Sequence, residues 1–169
     1  MKDEIAILWN FYLENWTQAR HHEVQRSTMT GLVVVVAGAI VTLVTADKSI
    51  NRYDLPLDAL LIALGCFGAF FSAKQYERSQ KHIERARGYR TLIDEMLPDA
   101  RICAIKAERD TKTEKTFPHL SRWRLNRAWV GLHMAIIVLG IVLAIASLLG
   151  RSAPEPSSAH IKDVVALIA

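Results

Sequence analysis

The fold is decided by residues 27–46, STMTGLVVVVAGAIVTLVTA, which form a run of 20 residues without a formal charge. A helix that crosses the hydrocarbon layer of a bilayer needs about 20 such residues. Two further apolar runs follow, at residues 55–73, with the single carboxylate Asp58 near the start, and at residues 128–150. The sequence therefore predicts an all-α integral membrane protein with three transmembrane helices.

The average composition conceals this pattern, because nearly all charges lie outside the three runs. The 169 residues are 51% hydrophobic and 22% charged, which excludes a disordered chain, and the apolar runs exclude a soluble enzyme. Cys66 lies in the second run and Cys103 in a basic segment, so neither a disulfide scaffold nor a cysteine metal site is expected. The N-terminus lacks the basic start and short apolar region of a cleavable signal, so the first run should remain as an anchor.

Lysine and arginine are distributed unevenly around the three runs. Residues 1–26 and 74–127 together carry 17 of them, whereas residues 47–54 and 151–169 together carry four. Positive residues are retained in the cytoplasm during insertion. We therefore expect the N-terminus and the long loop to be cytoplasmic and the C-terminus to lie outside. The net charge of +4 is assigned to topology and to contact with anionic membrane lipid, and nucleic-acid binding is disfavoured.

Two long helices are predicted to form a hairpin. Apolar residues recur at steps of three and four over residues 3–26, which predicts one unbroken helix from about residue 3 to residue 46. The second helix is predicted from residue 55 to residue 97, before Pro98. The parts outside the membrane, residues 3–26 and 74–97, each contain 24 residues. We expect them to pair as antiparallel helices that extend about 35 Å into the cytoplasm, with acidic residues of the first helix facing lysines and arginines of the second (Asp3, Glu4, Glu14 and Glu23).

The chain divides into four segments on this interpretation. Residues 1–98 contain the N-terminal amphipathic helix, the transmembrane hairpin and its cytoplasmic helix, and residues 99–127 form a basic cytoplasmic connector. Residues 128–150 form the third transmembrane helix, and residues 151–169 form an outward-facing tail. Within the connector, the pattern predicts a short amphipathic helix at residues 99–109, with Ile102 and Ile105 on one side, and an exposed loop at residues 110–116.

Histidines provide two candidate polar sites. His21 and His22 precede Glu23, but adjacent side chains on a helix point about 100° apart and do not chelate one ion together. The favoured interpretation is a group of polar residues near the lipid headgroups, while a pH-sensing role stays open. His133 lies inside the third run and is a candidate intramembrane polar site. It is also only six positions beyond Arg127, where a neutral imidazole near the bilayer surface costs little.

Small residues stand four apart in all three runs, and such pairs let helix backbones approach closely. They serve packing either within one chain or between chains. Because three spans cover each other poorly, we expect a homo-oligomer. The helix-packing candidates are Gly38, Thr42, Gly65, Gly68, Ala69, Ser72, Gly140 and Ala144.

Basic residues of the long loop are candidates for contact with a phosphate or a lipid headgroup, since arginine suits bidentate phosphate binding. No glycine-rich phosphate loop accompanies them, which favours a solvated or lipid-facing patch. The sequence also lacks the motifs of serine hydrolases, metalloproteases and dinucleotide-binding enzymes. No catalytic activity, cofactor or metal site is therefore expected. The candidate contact residues are Arg85, Arg87, Arg90, Lys106 and Arg109.

The chain resembles a group of bacterial membrane proteins in its organisation. The residues that carry the resemblance are 16–26, WTQARHHEVQR, the apolar run that follows, and 74–90, KQYERSQKHIERARGYR. An amphipathic helix, a transmembrane hairpin with a tiny outward loop and a basic cytoplasmic helix resemble the small two-span effectors of anti-phage systems, the SLATT-like group. The resemblance implies an oligomer that permeabilises the bacterial inner membrane once a partner senses infection. The third span and the tail depart from the simplest two-span pattern.

Two functions are consistent with these features. The first is a non-enzymatic inner-membrane effector that forms a pore or disrupts the membrane when a cytoplasmic sensor protein or a nucleotide signal engages the hairpin. The second is a structural subunit or anchor whose hairpin docks a cytoplasmic partner. A small transporter is disfavoured, because the spans contain no charged residue near the bilayer midplane.

Overall fold

The computed structural model describes residues 2–46, 50–99, 101–119 and 125–150. These residues form helix α1 (Lys2–Thr45), a 3₁₀ turn (Arg52–Asp54), and helices α2 (Leu55–Glu95), α3 (Ile102–Thr116) and α4 (Leu125–Leu149). No strand occurs in the described ranges, and α1, α2 and α4 are each long and apolar enough to cross a membrane. The predicted all-α class with three candidate spans is confirmed. The predicted tail, residues 151–169, lies outside the described residues.

Helices α1 and α2 each run unbroken from an apolar half into a polar half, as predicted. α1 stays helical through residue 26 and α2 through residue 74. Hydroxyls within the span do not disturb the backbone, because Thr42 and Thr45 donate to the carbonyls of Gly38 and Val41 in their own helix, each at 2.9 Å. We call residues 2–26 and 74–95 the extramembrane hairpin, and residues 27–45, 55–73 and 125–149 the apolar bundle.

A reciprocal cap fixes the 3₁₀ turn that precedes the second helix. The Asn51 side chain accepts a hydrogen bond from the Tyr53 N–H at 2.9 Å, and the Asp54 carboxylate accepts one from the Asn51 N–H at 2.9 Å. Pro56 then stands in the first turn of α2, where a helix does not need its missing N–H. Contacts between residues 15 and 82 and between residues 19 and 79 show that α1 and α2 lie antiparallel and side by side.

The central helix is α2, which packs against both α1 and α4. Its buried positions alternate in steps of three and four residues from 58 to 79, and those of α4 do so from 133 to 147. This 3.5-residue period is typical of helices that supercoil left-handedly. We call the buried line along the three helices the seam. On α2 it consists of Asp58, Leu61, Gly65, Gly68, Ser72, Gln75, Ser79, Ala86 and Ile93.

Apolar side chains from all three spanning helices meet in one core (Val33, Ala37, Ile40, Val44, Leu61, Ile136 and Leu143). Beside this core, α2 and α4 approach each other at glycines. A Cβ on Gly65 would lie 2.6 Å from Cγ1 of Ile137, and a Cβ on Gly140 would lie 2.7 Å from Cγ1 of Ile62. These glycines therefore serve packing within the chain.

The other small-residue candidates divide between the seam and the outer surface. Gly68 and Ser72 are buried, whereas Ala69 and Ala144 are half-buried. Gly38 and Thr42 face outward, and a Cβ on Gly38 would meet nothing within 4 Å. The pair on α1 therefore makes no helix contact among the described residues.

Most of each apolar span faces away from the chain. In the most apolar stretches of α1, α2 and α4, only 28%, 28% and 22% of the residues are buried. The outward side chains are large and apolar, and a surface of this size and character is stable in hydrocarbon rather than in water. Examples are Leu32, Val35, Leu43, Phe70 and Val142.

Helix α3 corrects the prediction for the connector. Residues 110–116, expected as a loop, continue the helix to Thr116. Lys106 pairs with Asp110 one turn along, and the hydroxyls of Thr111, Thr113 and Thr116 donate to carbonyls four residues earlier. Threonine and alternating charge in this stretch are compatible with a solvated helix as well as with a loop. No residue of α3 is buried.

Asp94 ties α3 to the end of α2. Its carboxylate accepts hydrogen bonds from the N–H groups of Ile102 at 2.7 Å and Cys103 at 3.1 Å, so it satisfies two of the unpaired donors at the helix start. Burial raises the pKa of Asp94, but the hydrogen bonds to α3 and the nearby Arg90 outweigh it and hold the pKa below its usual value. Asp94 is therefore a carboxylate at neutral pH and acts as a remote N-cap.

We expect Gly140→Leu to lower the free energy of unfolding by about 1–3 kcal/mol, because its side chain would overpack the contact with Ile62. The measurement is unfolding in mixed micelles. Gly38→Leu is the matched control, since it introduces the same side chain at an open position, and its effect should stay within about 0.5 kcal/mol. Equal effects of the two substitutions would contradict the described packing of α2 on α4.

Candidate functional site

Polar side chains occur along the seam in three separate groups, and together these groups form the candidate functional site. Within the apolar bundle they are Thr30, Asp58, Ser72, His133 and Ser147, all of them buried; we call this group the intramembrane polar set. Arg26 lies where the bundle meets the extramembrane hairpin. Farther along the hairpin, Asn15, His22, Gln75 and His82 form what we call the histidine layer.

Asp58 is the carboxylate at one end of the intramembrane polar set. It is 0% exposed, and its Oδ2 accepts a hydrogen bond from the Ser147 hydroxyl at 2.6 Å. Its Oδ1 is buried and has no hydrogen-bond partner among the described residues. Asp58 lies in the first turn of α2, where a carboxylate complements the positive end of the helix. The structure adds a polar link between α2 and α4.

A seven-residue spacing of small and polar residues in the sequence predicts the contact between Asp58 and Ser147. Along α2, positions 58, 65, 72 and 79 hold Asp, Gly, Ser and Ser, and along α4, positions 133, 140 and 147 hold His, Gly and Ser. Both series repeat every seven residues and contain small or polar side chains within apolar surroundings. Two such series on neighbouring helices predict a shared polar face.

His133 lies deeper in the packing than its place in the sequence suggests. The imidazole is 1% exposed, and its ring rests directly on Gly68, where any Cβ would collide with it. Its Nε2 is 3.3 Å from the Thr30 hydroxyl of α1, and its Nδ1 has no hydrogen-bond partner among the described residues. The ring therefore joins α4 to both other spanning helices.

Arg26 joins three helices where the bundle meets the hairpin. Its guanidinium is paired with Glu23 of α1, donates to the Asn126 side chain of α4 at 3.3 Å, and lies 5.7 Å from the ring centres of both Tyr76 and Trp129. The residue is only 3% exposed. Stacking between two aromatic rings suits a guanidinium, which is planar and weakly hydrated.

This arrangement around Arg26 modifies the predicted charge contacts between α1 and α2. Glu23, expected to face the second helix, instead pairs with Arg26 three residues later in its own helix. The sequence offered one clue, because an arginine and aromatic residues stand together at the ends of the apolar runs. It did not indicate that their side chains converge.

The histidine layer lies between α1 and α2 in the extramembrane hairpin. Nδ1 of His22 is 2.7 Å from Oε1 of Gln75, and Nδ1 of His82 is 2.9 Å from Oδ1 of Asn15. The two imidazole rings stack across the helices, with centroids 5.5 Å apart and planes inclined by 25°. His22 thus belongs to a contact between helices. His21 bonds Gln25 in its own helix instead.

Burial lowers the pKa of His82, and the nearby His22 and Arg85 lower it further, while Glu14 acts in the opposite direction. No group of three or more histidine, cysteine or acidic side chains suited to a metal ion occurs in the described ranges. The layer is therefore a set of titratable and neutral hydrogen-bonding groups.

The candidate phosphate-binding residues are dispersed. Arg87 pairs with Glu84 on α2, and Lys106 pairs with Asp110 on α3. Arg90 is half-buried, while Arg85 and Arg109 are exposed. On a straight helix Arg85 lies about 18 Å beyond residue 73, which places it too far from a bilayer surface for headgroup contact if α2 leaves the membrane along its axis.

No protein-family model matches the chain, and no curated protein or solved structure is significantly similar to it. The chemistry of the site is therefore argued from its own residues. They provide buried hydrogen bonds between helices, two titratable imidazoles in the hairpin, and a carboxyl and an imidazole inside the apolar bundle.

We expect Ser147→Ala to lower the free energy of unfolding by about 1–3 kcal/mol, because it leaves the buried Asp58 without its hydrogen bond. In an Asp58→Leu background the same substitution should cost less than half as much, a coupling that a double-mutant cycle in mixed micelles measures. Thr45→Ala removes an outward hydroxyl and serves as the control. Additive effects of the two substitutions would contradict the link.

Proposed function

We propose that the chain is a non-enzymatic effector of the bacterial inner membrane that assembles into a homo-oligomer and permeabilises the membrane in a defence response. Its N-terminus and hairpin lie in the cytoplasm and its C-terminus outside. The observation that supports this most directly is the continuity of the seam. The same packed line of side chains joins the hairpin to the apolar bundle, so a change in the hairpin reaches the membrane without crossing a flexible joint.

The intramembrane polar set supports permeation as the outcome. Asp58, Ser72 and His133 are hidden from lipid between helices, and each has a polar atom without a hydrogen-bond partner among the described residues. Leaving such a group unsatisfied costs about 1–3 kcal/mol. A rotation or separation of the helices that admits water would satisfy these groups and form a polar path.

Several copies are needed for such a path. Three helices that pack on a glycine-lined seam enclose no room for a channel, so the wall must come from neighbouring chains. The outward pair Gly38 and Thr42 provides a surface on which another helix can approach closely. The trigger, on this proposal, is a cytoplasmic sensor protein or a nucleotide signal that engages the hairpin.

The alternative is a membrane subunit whose hairpin docks a cytoplasmic partner. It is favoured by large, exposed side chains near the N-terminal start of α1. These residues remain accessible although α2 covers one side of the helix (Ile7, Trp9, Phe11 and Leu13). Surfaces of this kind mark protein interaction sites. The two functions differ in what happens when the hairpin is opened without a partner.

We expect Ala86→Glu to depolarise cells that express the full chain. Ala86 is 0% exposed on the seam, so a glutamate there forces the hairpin apart at a cost of about 2–4 kcal/mol. A potential-sensitive dye and the growth rate measure the effect. Gly88→Glu introduces the same side chain at an open position, where a Cβ meets nothing within 4 Å, and should leave the potential normal.

Two outcomes would contradict the proposal. The first is normal polarisation with the unmodified chain and with Ala86→Glu, both with and without phage challenge. The second is equal depolarisation by Ala86→Glu and Gly88→Glu. A docking subunit would leave the membrane potential normal in every case. It would lose its bound partner with Ala86→Glu, which opens the hairpin, and keep it with Gly88→Glu.

A further inference from the structure

The histidine layer is the place where the two arms of the hairpin share titratable groups. His22 of α1 and His82 of α2 stack at 5.5 Å, and each ring is held by an amide from the opposite helix, Gln75 for His22 and Asn15 for His82. Next to this layer, the Ser79 hydroxyl donates to the Ala19 carbonyl at 3.3 Å. Opening the hairpin therefore separates the two imidazoles.

The hydrogen bonds define where the protons lie in the closed hairpin. The Asn15 amide nitrogen donates to the Phe11 carbonyl at 2.9 Å, so its oxygen faces His82 and can only accept. Nδ1 of His82 is therefore the donor, and by the same reasoning Nδ1 of His22 donates to Oε1 of Gln75. In the neutral rings the free base is Nε2, and added protons go there while both hydrogen bonds remain.

Protonation therefore acts on the hairpin through charge. The groups that bear on His82 are His22 and Glu14 from α1 and Arg85 from its own helix, and His22 additionally has His21 at 6.1 Å. Two imidazolium ions stacked at this distance repel each other, and Arg85 adds to the repulsion. Glu14 opposes it but is a single anion.

We propose that His22 and His82 form a pH-sensitive latch, which holds the extramembrane hairpin closed near neutral pH and releases it on acidification. The closed hairpin favours the neutral form of His82. The pKa of His82 is lowered from the ordinary value of 6.5, chiefly by burial, so the open hairpin binds more protons than the closed one. The stability that the pair contributes is therefore complete above about pH 6.5 and is lost as the pH falls below that value.

The latch is tested by a distance measurement across the full chain in lipid vesicles. Spin labels are placed at the exposed positions Asn10 and Gly88, with Cys66 and Cys103 replaced by serine. At pH 7.5 we expect one short distance, and at pH 5.5 a second, longer one. The ratio of open to closed molecules should rise by up to about tenfold, the limit set by one histidine of ordinary pKa that titrates only in the open hairpin. Unchanged distances between the two pH values would overturn the latch.

Variants assign the response to the pair. His82→Gln and His22→Gln keep an amide donor but cannot be charged, so each should remove most of the pH response. His21→Gln, on the exposed neighbour, should keep it. A response that persists in both His22→Gln and His82→Gln would overturn the assignment.

A second measurement is needed if the hairpin of these variants no longer closes at pH 7.5. Histidine-selective NMR titration of the unmodified chain should place the His82 midpoint below 6.5, and a midpoint at or above that value would overturn the latch.

The latch has one consequence that rests on the proposed function. If the chain permeabilises the membrane, protons that enter an otherwise neutral cytoplasm would open further hairpins, and the leak would reinforce itself. The distance measurement uses no leak assay, so a latch without permeation and permeation without a latch give different results.

Discussion

The structure depends on one constraint: the interior of a bilayer contains no water, so every polar group there must be hidden between helices. The central helix α2 meets this constraint by facing α1 and α4 at once. Asp58 binds Ser147 of α4, and His133 of α4 contacts Gly68 of α2 and Thr30 of α1. These contacts fix which face of each helix turns inward. The outward faces need only be apolar, and no particular apolar residue is required there. Glycines on the same line bring the backbones close enough for the polar contacts to form.

The same line of contacts changes its chemistry where it enters the hairpin. Inside the apolar bundle, glycine and serine alternate with leucine and valine, and close packing stabilises the contact. In the hairpin the seam carries Ala19, Ser79 and Ala86, which bury little apolar area, together with the amides and imidazoles of the histidine layer. The stacked pair Phe11 and Tyr89, with ring centres 5.6 Å apart, supplies part of the apolar contact. Since the hydrophobic contribution scales with apolar area, the hairpin is the weaker half, and Arg26 marks the boundary between the two.

The sequence predicted the large features because they follow from single-residue properties. Uncharged runs of about 20 residues located the three spans, and the absence of breakers at residues 26 and 74 gave the two long helices. The sequence did not predict the contacts that depend on which face of one helix packs against another. Gly38 and Thr42 resemble Gly65 and Ala69 in spacing, yet Gly65 faces α4 while Gly38 faces nothing within 4 Å, and spacing alone does not show which face of a helix meets a neighbour. The Asp58–Ser147 contact, the burial of His133 between helices and the convergence of side chains on Arg26 depend on facing in the same way. The predicted helix ends at residue 109 rather than at Thr116, because the solvated residues that follow show no apolar periodicity.

The two halves of the seam are coupled, but they do not respond equally to perturbation. A charge or a proton placed in the hairpin meets water within a short distance and can be accommodated by separating two helices. The same change in the apolar bundle would expose polar groups to lipid, which is much more costly. If the chain acts as the proposed effector, a signal enters most easily through the hairpin, while the bundle resists until the helices move together. Because α1 and α2 are continuous through residues 26 and 74, separation of the hairpin would change the angle at which both helices enter the membrane. Thr30–His133 is the buried pair of the apolar bundle nearest the hairpin, so it would be strained first, whereas Asp58–Ser147 lies at the far end of the bundle.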